Sequence, residues 1–190
     1  ERCIRDRNQL LALGRAEGDG QVMPEQVCNL SDLVKDGSQD ALPKAIEKHI
    51  DLGFESANVP RQLAKNKMVR ANPTLIKELI RNLIDNALNY TPSTSEQPGI
   101  VTVRVFTDDQ TCILQVEDSG VGIPDAEKQL VMQPFYRALG TNADGSGLGL
   151  AIVQEIAKKH GAVLTIEDAK PGHIPTGAKF TIRFFLNPRD

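Results

Sequence analysis

The chain has 190 residues, with 22 lysines and arginines against 25 aspartates and glutamates and a formal net charge of −3. At 40% hydrophobic and 25% charged it has the make-up of a soluble globular domain. The charge balance excludes the basic face that nucleic-acid binding needs, and aromatic residues at 4% leave no platform for stacking bases. No apolar run approaches the roughly 20 residues of a membrane-spanning helix. Cys3, Cys28 and Cys112 are odd in number and lack CxxC spacing, which favours reduced thiols in a cytosolic setting over disulfides or a zinc site.

In chain order, residues 1–17 scatter Ile4, Leu10, Leu11 and Leu13 among charges and stop at Gly18-Asp19-Gly20, the pattern of a helix tail too short to build a core. Residues 27–34 read as extended. Residues 38–50 read as a helix, with Ala41, Leu42, Ala45, Ile46 and Ile50 at helical spacing. Residues 51–56 and 67–70 are short enough for edge strands. A strong helix spans 72–90, with Asn72 as N-cap, Pro73 at the first helical position and Thr91-Pro92 as its stop. Residues 100–107 and 111–116 alternate β-branched residues around a hairpin turn at Asp108-Asp109-Gln110. Residues 117–147 are glycine-rich, with one short helical piece near 125–130. A second helix covers 148–160 and ends at Gly161, and strands at 162–167 and 179–185 close the chain. Strands and helices mix without strict βαβ alternation, which predicts an α+β two-layer sandwich.

Three features carry chemistry. On the wheel of the helix over 72–90, Asn86 falls inside the apolar arc between Leu75 and Leu79, and Asn82 lies at its edge. Their i, i+4 spacing stacks the two carboxamides on one face, and a buried amide without a partner costs about 1–3 kcal/mol. Either neighbouring loop backbone or a ligand satisfies them. Next, Glu117-Asp118-Ser119-Gly120-Val121-Gly122 follows a strand, placing a carboxylate beside glycines that let backbone approach a flat ligand. By itself it also suits a solvent-exposed turn. Third, Gly145-Ser146-Gly147-Leu148-Gly149-Leu150 runs into a helix, where unpaired N–H groups and the helix dipole favour an anion. It is not a P-loop, because no Gly-Lys-Ser/Thr occurs in the chain, and Leu150 spoils a dinucleotide fingerprint.

Taken in order, the three features resemble the ATP-binding catalytic domain of sensor histidine kinases, within the superfamily that also holds gyrase, Hsp90 and MutL. RNLIDNALNYTP (81–92) resembles the N box, EDSGVGIP (117–124) the first glycine box, QPFYRA (133–138) the F box and GSGLGLAIV (145–153) the second glycine box. TGAKFTIRF (176–184) is similar to the family's last strand. The resemblance covers residues 27–185. It implies a Bergerat fold, a mixed and mainly antiparallel sheet covered on one face by about three helices, with a catalytic domain over 21–190. Residues 1–20 would then be the end of a dimerisation and phosphotransfer helix with its linker.

The resemblance also implies roles. Asp118 receives the adenine amino group; Asn86 holds Mg²⁺ against the phosphates of ATP, with Asn82 beside it. Gly145, Ser146, Gly147, Leu148 and Gly149 cover the phosphates, with Gly120 and Gly122 lining the adenine side. Phe135 anchors that lid, Arg137 brings charge near the γ-phosphate, and Tyr90 packs against the nucleotide. Asn89 departs from the family, which usually carries Lys or Arg there. His49, His160 and His173 lack the context of a phosphoacceptor, and His160 at a helix end, where the dipole favours a partly cationic ring, is expected to be structural. The chain is therefore expected to be a kinase fragment that donates the γ-phosphate to a histidine on a dimerisation domain for relay to a response regulator. The fragment is expected to be monomeric, and the full protein a homodimer with this domain on the cytoplasmic side of an inner membrane. A gyrase- or Hsp90-type ATPase module is the alternative, and it places a catalytic Glu where Asn82 stands.

Overall fold

The computed structural model of the chain describes residues 24–56, 68–108, 110–136 and 147–186. The helix expected over 1–17, and with it the boundary at residue 20, lies outside the described residues. The described elements are β1 (Gln26–Asn29), α1 (Leu30–Glu47), β2 (Ile50–Ser56), β3 (Met68–Ala71), α2 (Pro73–Tyr90), β4 (Gly99–Thr107), β5 (Thr111–Asp118), α3 (Gly149–Lys159), β6 (Val163–Asp168) and β7 (Ala178–Phe185). Two 3₁₀ turns, Asp125–Glu127 and Leu130–Met132, stand where the short helical piece was expected.

The five-stranded sheet runs β2-β4-β5-β7-β6, with β2 and β4 parallel and every other neighbouring pair antiparallel. β1 and β3 form a separate antiparallel ribbon. Register fixes the two faces: Phe54, Val103, Val116, Phe180 and Ile166 lie in one row across all five strands. That face is buried under the helices, which contribute Leu79, Leu83, Ile152 and Ile156. The opposite face is polar and half-exposed. There Arg104 bridges Glu55 at 2.7 Å and Glu117 at 3.1 Å, and Lys179 stands 3.6 Å from Glu167. This is the expected α+β two-layer sandwich.

The α2 helix starts where the sequence places it. Asn72 accepts the N–H of Leu75 on Oδ1 at 3.1 Å, and Pro73 follows at a position that needs no donor. The α1 helix differs from expectation, since it begins at Leu30 and takes in residues read as extended. Asn29 caps it, its Oδ1 accepting from Ser31 N–H at 3.0 Å and Asp32 N–H at 3.3 Å. Leu30, Val34 and Ser38 then recur every four residues as buried positions, and the hydroxyl of Ser38 is satisfied by the carbonyl of Val34 at 2.8 Å. Gly37 and Pro43 inside the helix hide that period from a sequence reading, and packing against α2 overrides their low propensity.

Candidate functional site

Asp118 ends β5 on the helix-facing side of the sheet, at 5% exposure. Its Oδ1 accepts two backbone N–H groups, from Gly120 at 2.8 Å and from Ala178 at 3.2 Å. No hydrogen bond reaches Oδ2 among the described residues. The buried polar side-chain atoms left without a partner there are Thr111 Oγ1 and Glu127 Oε2, so Oδ2 still meets solvent. Burial pushes the carboxyl up to about 6; the two N–H donors pull the other way and the neighbouring Glu117 adds a little. A buried carboxylate with one oxygen held and the other open is a ready acceptor for an amino group.

The walls around it are backbone. The N–H of Gly177 donates to the carbonyl of Gly120 at 3.0 Å, tying the β6–β7 connection to the loop after β5. Gly120 lies against the carbonyl of Tyr90 at the end of α2. Gly122 has φ 79° and packs on the hydroxyl of Thr176, so any side chain there would be strained and would collide. A flat ligand beside Asp118 therefore meets peptide planes. Farther out, Lys128 bridges Asp125 at 2.5 Å and Asp168 at 2.9 Å, tying the first 3₁₀ turn to the end of β6.

The wheel placed Asn86 in the apolar arc and Asn82 at its edge, and the structure reverses them. Asn82 is buried at 4% exposure and Asn86 is half-exposed. Gly149 at the start of α3 packs over Asn82, its Cβ position 3.4 Å from Oδ1 of the amide. The Nδ2 of Asn82 donates to the carbonyl of Glu78 at 2.8 Å and to the carboxylate of Glu78 at 3.1 Å. Both partners can only accept, which assigns nitrogen to that side and leaves Oδ1 facing the N-terminus of α3. The side chain of Asn86, one turn on, makes no hydrogen bond among the described residues, so its carboxamide is available.

Gly147 has φ 75°, and a Cβ on it would stand 2.9 Å from the carbonyl carbon of Phe135. Its carbonyl accepts the N–H of Phe135 at 2.9 Å. Phe135 itself has φ 64° and a ring that is 63% exposed, so its tie to the second glycine box runs through the main chain. Leu148 points its side chain into the core, and its carbonyl accepts the N–H of Ile152 at 3.0 Å. Tyr90 and Asn89 are half-buried at the end of α2. Arg137, Gly145 and Ser146 lie outside the described residues.

The structure thus brings together Asp118, Gly120 and Gly122 at the end of β5, and Asn82, Leu148 and Gly149 where α2 meets α3. Three further contributors escaped the sequence reading. The N–H of Ala178 and the hydroxyl of Thr176 come from more than 50 residues away, in a segment read only for its likeness to the family's last strand. Glu78 was legible as the i−4 neighbour of Asn82. Cys28 and Cys112 are buried and form no disulfide among the described residues, and burial raises the Cys28 thiol.

The family described as Histidine kinase-, DNA gyrase B-, and HSP90-like ATPase matches residues 71–188. Sensor histidine kinase RppB of Synechocystis sp. is 33% identical over 178 residues, 92% of this chain and 36% of that protein. Sensor protein kinase PmrB of Pseudomonas aeruginosa is 34% identical over 161 residues, 84% of this chain and 31% of that protein. The chain thus spans about a third of the length of these curated relatives. Among solved structures, the catalytic domain of histidine kinase ThkA superimposes with a TM-score of 0.70 at 26% identity, covering 87% of this chain and all of that one.

Proposed function

The chain belongs to the family of histidine kinase-, DNA gyrase B- and HSP90-like ATPases, and from that premise we propose that it is the ATP-binding catalytic domain of a sensor histidine kinase. In this reading it transfers the γ-phosphate of ATP to a histidine on a dimerisation domain of the same protein, for relay to a response regulator. The observation that carries the nucleotide site is Asp118, buried, with Oδ1 fixed by Gly120 and Ala178 and Oδ2 open. That arrangement suits the exocyclic amine of adenine. Four boxes in order, together with the sensor-kinase names of the relatives, favour the kinase over the gyrase or Hsp90 type. Asn82 also stands where that type has its catalytic Glu.

Phosphoryl transfer draws its rate from positioning and from neutralising charge on the phosphates. The N-terminus of α3 offers N–H groups at Gly149 and Leu150 that make no hydrogen bond among the described residues, with the Asn82 carboxamide against Gly149 and Asn86 one turn on along α2. The donor set fits Mg²⁺: neutral oxygens, few in number, leave room for phosphate oxygens and water in an octahedral shell. Asn86 would hold the ion, which would neutralise phosphate charge. Arg137 is proposed to add charge near the γ-phosphate, and Gly145, Ser146 and Gly147 to cover it. Asn89 supplies no cation, so the phosphates would depend the more on α3 and the ion. By the same resemblance the domain would lie on the cytoplasmic side of an inner-membrane protein. Among the described residues no helix is long and apolar enough to cross a membrane.

The test is transfer in trans. The chain is mixed with a dimerisation hairpin carrying the acceptor histidine and with γ-labelled ATP. Acid-labile label on the hairpin supports the kinase, and release of inorganic phosphate without label on the hairpin overturns it in favour of an ATPase module.

A further inference from the structure

His160 lies at the C-terminal end of α3, and its ring is held from both sides. Its Nδ1 lies 2.7 Å from the carbonyl of Ile156, one turn back on its own helix. Its Nε2 lies 3.1 Å from the backbone nitrogen of Asn72, the N-cap of α2. A carbonyl can only accept and a backbone N–H can only donate, so the proton sits on Nδ1 and the bare lone pair on Nε2. Asn72 is otherwise fully used: Oδ1 caps Leu75, Nδ2 donates to the carbonyl of Pro24 at 3.2 Å, and its own carbonyl accepts from Ile76. The His160 ring is what satisfies its buried N–H.

The two helices run antiparallel, and their lengths match. From Asn72 to Asn82 is ten residues of α2, about 15 Å, and from Gly149 to His160 is eleven residues of α3, about 16 Å. One end of this pair is joined by the His160–Asn72 bond, and at the other Gly149 packs on Asn82. A slide of α3 along α2 has to break the first contact to disturb the second.

We infer that His160 is a positioning residue for the phosphate half of the site: it pins the register of α3 on α2, so that the N-terminus of α3 faces Asn82 and Asn86. The inference rests on the nucleotide reading above and deepens it. It also separates the two halves of that site, since Asp118 and its glycines hang on β5, the β6–β7 connection and the C-terminal end of α2 at Tyr90, none of which this bond holds.

The experiment compares affinities of the chain for AMPPNP with Mg²⁺ and for adenosine, in wild type, His160→Leu, His160→Asn and His160→Gln. Leu removes both bonds, Asn is too short to reach Asn72, and Gln places its carbonyl oxygen near the position of Nε2. The expected result is a roughly tenfold loss of AMPPNP affinity in the Leu and Asn variants, the scale of one lost hydrogen bond that strands a buried donor, with adenosine unchanged. Gln is expected to restore most of it. AMPPNP affinity in the Leu and Asn variants equal to wild type overturns the inference and leaves the nucleotide reading standing. Equal losses for AMPPNP and adenosine also overturn it, as general destabilisation. A wild-type chain that binds neither ligand overturns the nucleotide reading itself and the inference with it. Ring nitrogen shifts in the wild-type chain at neutral pH give a check without mutation: an Nε2–H tautomer or a doubly protonated ring overturns the pin.

Discussion

Ala178 donates its backbone N–H to Oδ1 of Asp118 at 3.2 Å, joining the first residue of β7 to the last residue of β5. With Gly120 on the same oxygen, the carboxylate cannot turn, and its second oxygen has one direction to face. Replacing Asp118 by Asn keeps an acceptor for both N–H groups but sets an NH₂ where Oδ2 was. Asp118→Asn is therefore expected to stay folded and to weaken ATP binding by about 1.5–3 kcal/mol, the scale of a charge-assisted hydrogen bond. Isothermal titration with AMPPNP measures it, and heats equal to wild type would remove adenine from this carboxylate.

The same residue gives the fold a pH dependence. Its folded pKa is pushed up to about 6 from 3.8, so between those values the native state holds a proton that the unfolded chain has released. Stability from this group is fully present below about pH 4, falls as pH rises towards 6 and is level above. The loss is on the order of 3 kcal/mol at about 1.4 kcal/mol per pKa unit. Asp118→Asn stays neutral throughout, so it is expected to exceed wild type in stability at pH 7.5 and to lose that advantage near pH 4. Urea denaturation of both proteins across that range reads the difference, in which other carboxylates cancel. Parallel curves would mean that the buried charge costs the fold nothing.

How far the sequence reached depends on whether a signal was local. Asn72-Pro73 announced α2 because cap and first-turn proline are adjacent, and the hairpin of β4 and β5 was visible in alternating β-branched residues. The start of α1 was not, since Asn29 is an N-cap only if the following residues fold onto α2, and Gly37 and Pro43 argue against a helix there. At the site, Asp118 and the glycines stood out through the resemblance of their boxes, whereas their partners did not. Ala178 acts through its N–H, as any residue but proline would, and Thr176 touches Gly122 only because β6 and β7 turn back over β5. The exchange of burial between Asn82 and Asn86 has the same origin. A helical wheel knows the faces of α2 but not that Gly149 would sit on Asn82.

The glycine at 147 is required by two neighbours at once. Its φ of 75° costs an ordinary residue about 1–2 kcal/mol, and a methyl there would also press on the main chain of Phe135 and Tyr136. Gly147→Ala is expected to break the bond from Phe135 N–H to its carbonyl and leave the sheet intact. Hydrogen exchange should then show the Phe135 amide exchanging at least about tenfold faster, with β5 and β7 amides unchanged. Undiminished protection at Phe135 would show that the F-box segment is held by something other than this contact.

Asn86 offers the most direct test of the cation. It is half-exposed and its side chain makes no hydrogen bond among the described residues, so truncation removes no bond that the fold uses. Asn86→Ala should change stability by no more than about 0.5 kcal/mol, the usual range for such a surface change. Asn82 is different, because its amide is buried and held by Glu78, and its loss should cost the fold about 1–3 kcal/mol. If Asn86 holds Mg²⁺ against the phosphates, wild type should bind AMPPNP more tightly with Mg²⁺ than with EDTA, and Asn86→Ala should bind it equally in both. Adenosine, which has no phosphates to bridge, should bind wild type and variant alike. A variant that keeps the full Mg²⁺ effect would move the ion to other oxygens, and one that loses adenosine affinity would mean that the substitution disturbs the adenine pocket through Tyr90, one turn on.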